Sequence, residues 1–337
     1  MKKLILYFMT LLPFLLLTGC STIDEPDDEV LFEELGAYAF GPLLDVEIDE
    51  LIQFEYVGEE IRIPYRVEGH AQGITSEFGW FLLVDALPQL TRLETFEGEI
   101  LSEEAYMHHF ALDFSQWQDF YVILQPSHGE AGTRVGMIAG ALLRPDFMPE
   151  NLENPSFDIF HALTATIPAE ILIERNTVNS ARGYTHTELE SIPEEVIVLE
   201  EASLQEGESF EEILVQFPRI GLFPKESELD VHFSGIIPAS GGQVDLRMFV
   251  YGGHAVTSRI TLFVNHQPVQ VNGADFVEIE MEVGQIAVVD LTLYVDELFH
   301  FNSLYAIMMT TGEDYLIQDI AKTRTLLLVN ESEEMTR

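Results

Sequence analysis

Beyond position 20 the chain contains no cysteine, so no intrachain disulfide can brace it and no thiolate is left for metal binding or catalysis. Lysine is almost as scarce: after Lys3 only Lys225 and Lys322 occur. That excludes the phosphate-cradling Gly-x-x-x-x-Gly-Lys loop, and no Ser-x-x-Lys motif is present. Lys and Arg total 16 against 58 Asp and Glu, a formal net charge of −42. A surface of that sign repels nucleic acid and anionic lipid head groups. It fits a saline or alkaline habitat, or cationic partners such as Ca²⁺ or basic peptides. No Gly-x-Ser-x-Gly elbow and no zinc-type His-Glu-x-x-His occur, so no motif points to an enzyme. A long helical period is also missing after position 20; Val30 to Tyr38 is the best short candidate.

What is present is a strand texture. Hydrophobic residues make up 47% of the chain, enough for packed cores. From about Asp45, short apolar runs bounded by turn residues recur: Glu50–Tyr56, Ile61–Val67, Phe78–Val84, Phe120–Leu124, Val135–Leu143 and Ala162–Ile173. Runs of this kind predict an all-β chain of antiparallel, immunoglobulin-like β-sandwiches. Length favours two of them.

The pattern repeats. Leu51–Phe54 returns as Leu214–Phe217, and Phe81–Pro88 returns as Thr261–Pro268. In the second pair an apolar strand ends at Asp85 or Asn265, with Pro88 or Pro268 three residues later, a turn signal. Phe120 and Met137 are matched by Val289 and Ala306. The offsets of 163, 180 and 169 residues let loops vary while strands keep their order, which predicts an internal duplication. Asn176 to Glu208 between the copies is acidic and turn-rich. It is either a bare linker or a source of the second sandwich's first strand, through Val196–Leu199.

The N-terminus has a different design. Met1, Lys2 and Lys3 are followed by the uncharged run Leu4 to Leu17, then by Leu17-Thr18-Gly19-Cys20. A cationic start, a short apolar stretch and small residues before a cut site make a secretory signal. The run is short for a membrane-spanning helix, which needs about 20 residues. These 20 residues resemble the signal and lipobox of bacterial lipoproteins. The resemblance implies cleavage before Cys20 and acylation (palmitate-type chains) of its sulfur and new amino group. The mature body would then carry 14 cations against 58 acids, a formal −44, and would be tethered to the membrane by lipid. The expected plan is signal peptide 1–19, lipidated Cys20 and acidic tether 20–44, first sandwich 45–190 and second sandwich 191–331.

Side chains that could carry chemistry are few. His108 and His109 are adjacent, so on a strand they point to opposite faces and cannot share an ion. No metal or cofactor is expected beyond the Cys20 lipid; Ca²⁺ lacks a supporting motif. Ser127, His128 and Glu130 are neighbours on a turn, which does not line up a catalytic relay. Trp80 and Trp117, the two tryptophans, and Tyr251 are the candidate ligand-binding residues. Each is either a ring exposed to grip a sugar or a core or turn residue. The expected function is a non-enzymatic, extracytoplasmic lipoprotein that binds or scaffolds an envelope protein or glycan. The alternatives are an envelope carbohydrate-active or hydrolytic protein using acidic loop residues, and an accessory lipoprotein of a transport or export complex.

Overall fold

The computed structural model describes residues 38–43, 52–70, 75–151, 155–157, 160–166, 169–177, 181–194, 196–197, 209, 218–225, 235–253, 257–295, 298–311 and 320–330. Cys20, the tether up to residue 37 and the run 214–217 lie outside them. The first half forms β1 (Tyr38–Pro42), β2 (Gln53–Tyr56), β3 (Ile61–Gly69), β4 (Ser76–Val84), β5 (Leu87–Pro88) and β6 (Thr91–Glu94). It continues with β7 (Ile100–Ala105), β8 (His108–Leu112), β9 (Trp117–Leu124), β10 (Thr133–Leu143), β11 (Leu163–Ala165) and β12 (Ala169–Ile173). The second half holds β13 (Gly183–His186), β14 (Leu189–Ser191), β15 (Pro218–Pro224), β16 (Ile236–Ala239), β17 (Gln243–Gly252) and β18 (Thr257–Val264). Last come β19 (Gln267–Val269), β20 (Phe276–Glu280), β21 (Gln285–Tyr294), β22 (Phe301–Thr311), β23 (Ile320–Lys322) and β24 (Leu326–Asn330).

These strands make four sheets. Sheet 1 runs β1-β3-β9-β6-β7, and sheet 2 runs β2-β12-β10-β4-β5 with β8 and β11 added. Sheet 3 runs β13-β20-β18-β22-β24-β16 with β19 and β23, and sheet 4 runs β14-β21-β17-β15. Sheets 1 and 2 enclose one core, which contains Tyr65, Trp80, Phe120 and Ile171. Sheets 3 and 4 enclose another, which contains Leu246, Leu262, Val289 and Leu328. Each half is an antiparallel sandwich with immunoglobulin-like strand order, including the parallel pairings β2–β12 and β16–β24.

The halves are copies of one topology. β1, β2, β3, β4, β5 and β8 correspond to β15, β16, β17, β18, β19 and β20; β9 to β12 correspond to β21 to β24, with the same pairings throughout. The hairpins agree residue for residue. Asp85 and Ala86 have φ of 51° and 67°, and Asn265 and His266 have φ of 47° and 65°. Both are therefore two-residue turns of the type that matches strand twist. Leu124 faces Thr91 as Leu293 faces Val271, so the 180- and 169-residue offsets hold. The 163-residue match does not, because the counterpart of β2 is β16. Leu304, not Ala306, stands where Met137 does, since Val84 faces Met137 and Val264 faces Leu304.

Two boundaries move. Tyr38–Pro42 was expected in the tether, yet it pairs with β3 as the edge of sheet 1. The inter-copy segment contributes β13 to sheet 3 and β14 to sheet 4, so the second sandwich draws on residues before 190. Of Val196–Leu199 only Val196 and Ile197 are among the described residues, and they are not in a strand. The Val196 and Ile197 amides bond back to the Pro193 carbonyl at 3.0 and 3.2 Å in a helical turn.

The sandwiches meet through equivalent faces. Phe81, Leu83, Ile138 and Leu142 of sheet 2 pack against Phe263, Tyr305, Ile307 and Met309 of sheet 3. Leu83 corresponds to Phe263, Ile138 to Tyr305 and Leu142 to Met309, so the seam is approximately two-fold, as in an isologous dimer. The result is four stacked layers. Apolar cover on both faces of the inner sheets explains why β4, β10, β18 and β22 are near-continuous apolar runs. In β3, Ile61, Ile63, Tyr65 and Val67 are buried while the residues between them are more exposed, because the far face of sheet 1 meets water.

Candidate functional site

The outward face of sheet 1 brings together three arginines and three aromatic rings. Phe120, Val122 and Leu124 point into the core, so Trp117, Asp119 and Tyr121 point out. Register sets Arg66 opposite Asp119 and Pro64 opposite Tyr121. The Arg66 guanidinium donates from Nε and Nη2 to the two Asp119 oxygens at 2.6 and 2.7 Å and lies 5.7 Å from the Trp117 ring centroid. Arg62 reaches Glu94 at 2.7 Å and covers Tyr121 at 4.9 Å. Arg92 bonds Glu94 and Glu60 at 2.9 and 3.2 Å. Phe96 adds a ring 4.8 Å from Tyr121.

Hydrogen bonds from Arg92, with Arg62 beside them, hold the Glu94 carboxyl below its usual range. A general acid at neutral pH needs the opposite shift. The face therefore suits recognition: flat rings for stacking, with fixed, planar hydrogen-bonding groups beside them. Trp117 is 61% exposed, whereas Trp80 is 0% exposed. Trp80 packs edge-on against Tyr65 and Phe120 at 5.3 and 6.2 Å. Buried in the core on β4, it cannot present a ring to a ligand, which corrects the expectation for it. Tyr251 is half-buried in β17, between Arg219 of β15 and Ile286 of β21.

A second cluster lies along the seam. Arg259 of β18 donates to the Asp85 carboxylate at the turn of the other sandwich, and to Glu278 at 2.8 Å. His128 approaches the same Asp85 carboxylate at 3.6 Å, while Ser127 is engaged by the Gln89 side chain instead. His266 Nε2 is 2.7 Å from the Pro145 carbonyl, which only accepts, so Nε2 carries the proton and Nδ1 accepts from the Tyr305 hydroxyl at 3.0 Å. Burial lowers the His266 pKa to about 4 and the His161 pKa to about 3, so both rings are neutral at pH 7. Lys322 donates to the Thr323 carbonyl and Thr325 Oγ1 at 3.0 and 2.8 Å and lies 4.7 Å from the Tyr305 ring centroid. Burial pushes its amine down to about 7. The chain pattern gave no signal for this cluster, because its members come from loops and strands far apart in sequence.

His108 and His109 do separate across β8. His108 is buried between Thr91 Oγ1 and Ser102 Oγ at 2.9 and 2.8 Å, and His109 is exposed beside Asp146 at 3.1 Å. Among the described residues no group of three His, Cys, Asp or Glu side chains could hold a metal ion.

No protein-family model matches the chain, and no curated protein matches it either. Among solved structures it is similar to fibronectin(III)-like modules of Clostridium thermocellum CbhA, at 8% identity over 89% of this chain and 98% of that one, with a TM-score of 0.19. It is similar too to the YadV chaperone, at 8% identity over 85% of this chain and 98% of that one, with a TM-score of 0.21.

Proposed function

We propose that the protein is an extracytoplasmic lipoprotein, held at the membrane by acyl chains on Cys20, whose outer sandwich face binds an envelope glycan. The lipobox-like Leu17-Thr18-Gly19-Cys20 supports the anchor. Two acyl chains give stable attachment at roughly 0.8 kcal/mol per buried methylene, enough to hold an acidic body against anionic head groups. Among the described residues no helix is long and apolar enough to cross a membrane.

The observation that carries the binding reading is the exposure of Trp117 on a face shared with Tyr121, Phe96 and three arginines. An exposed aromatic ring flanked by fixed polar groups is how a sheet grips a sugar, with the ring on the sugar's apolar face and the polar groups on its hydroxyls. Two experiments test the two parts. A Cys20→Ala variant leaves the membrane fraction if the anchor is right and stays there if it is wrong. Sedimentation with purified peptidoglycan tests the face: Trp117→Ala should lose the retention that the parent shows. Equal retention of both, or of neither, would reject the glycan face.

A further inference from the structure

We propose that the outer edge of β8 accepts an extended segment of a partner protein, added in parallel as β13 is added to β20. Trp80 faces His108 as Ile260 faces Val277, so β8 and β20 hold the same place in sheets 2 and 3. The far side of β20 is covered by β13 in parallel register, with Tyr184 opposite Val277. Among the described residues nothing pairs with the far side of β8.

Backbone geometry shows which groups are left over. The Glu77 carbonyl accepts from the Arg144 amide on the β10 side, and the Leu82 carbonyl accepts from the Gln89 amide on the β5 side, both at 2.9 Å. Alternate residues of a strand direct their N–H and C=O to opposite sides. Ser76, Phe78 and Trp80 therefore bond β8 through Leu112, Phe110 and His108. His109 and Ala111 aim their N–H and C=O groups away from β4.

The composition of β8 leaves that edge unguarded. Proteins guard exposed edges with proline, charge or bulges. β1 has Pro42, β2 has Glu55, β7 has Glu103 and Glu104, β14 has Glu190, β15 has Pro218 and Pro224, and β16 has Pro238. β8, His-His-Phe-Ala-Leu, has neither proline nor carboxylate, and in this it matches β13, Gly-Tyr-Thr-His, the strand that covers β20. The Asp146 carboxylate 3.1 Å from His109 and the acidic body around this edge favour a neutral or basic partner strand. The site is continuous with the seam, where the His109 ring lies 6.4 Å from that of His266. The occupant that fits is an extended, proline-free, neutral or basic segment of about four residues, read mainly through its backbone. This edge is separate from the glycan face, so either can fail alone.

The test uses the whole chain and a synthetic peptide of residues 181–188, the strand that the second copy places at this position. In the protein alone the His109 and Ala111 amides should exchange with deuterium quickly. With peptide in excess their exchange should slow at least tenfold. Ala111→Pro deletes one outward donor at an edge position that tolerates proline; it should keep the parental Tm and lose the slowing at His109. Overturning results would be amides already protected without peptide, slowing confined to β20, or undiminished slowing in Ala111→Pro.

Discussion

Replacing Lys322 with Met should remove a rise in stability that the parent shows between about pH 7 and pH 10. The amine sits at the seam with a carbonyl, a hydroxyl and an aromatic ring around it, and burial lowers its pKa from 10.5 to about 7. In the unfolded chain it titrates near 10.4. Between those values the folded protein holds the neutral amine while the unfolded chain takes up a proton. Stability therefore climbs as pH rises from about 7 towards 10.5 and is flat in this respect below 7. At face value the gap would be worth about 5 kcal/mol. Lys322 keeps part of its surface towards solvent, so screening brings the expected gain to about 2 kcal/mol. Tyr38, Tyr65 and Tyr305 work the other way, since burial raises all three hydroxyls and they cost stability once free tyrosine ionises near pH 10. The useful window is pH 7 to 9.5. Urea unfolding should give a free energy that rises with pH in the parent and stays level in Lys322→Met, with the variant the more stable at pH 7. Equal slopes in both proteins would refute the reasoning.

The two tryptophans should separate cleanly. Trp80→Ala should cost about 3–5 kcal/mol, the usual range for emptying a buried aromatic site, while Trp117→Ala should change urea stability by less than about 0.5 kcal/mol. Asp85→Asn keeps a residue that suits its turn, as Asn265 shows, and removes the charge that faces Arg259 and His128. Because Arg259 retains Glu278, thermal or urea unfolding should report a loss of about 1–2 kcal/mol. His161 and His266 are buried neutral with pKa values of about 3 and 4, below the unfolded value near 6.5. Stability should fall as pH drops from about 6.5 to 4, and His161→Phe should lose less than the parent between urea series at pH 7 and pH 4.5.

Much of the fold was legible because strands write it locally. The Asp85 and Asn265 turns with their trailing prolines marked equivalent hairpins, and the apolar runs of β4 and β10 were readable as strands. Their continuity also carried the seam, which went unread: an unbroken apolar run says that both faces are covered without saying by what. Matching Leu51–Phe54 to Leu214–Phe217 misled because three apolar letters around a Gln recur by composition alone, whereas hairpin geometry does not. Trp117 and Trp80 sit beside strand signals of the same kind. Only the alternation around them differs, and Trp117 lies at a strand's first residue, where alternation is not yet established. Arg62, Arg66 and Arg92 become one cluster only through sheet register, which no local pattern records.

The claim on which location and role both rest is the acylated start at Cys20, and the chain is convenient for testing it. No Lys or Arg lies between Cys20 and Arg62, so trypsin should release one N-terminal peptide ending at Arg62 from protein made in a bacterial host. Mass spectrometry of that peptide should show residues 20–62 carrying a thioether-linked diacylglycerol. A peptide that starts at any other residue, or one that starts at Cys20 without acyl mass, would contradict the account.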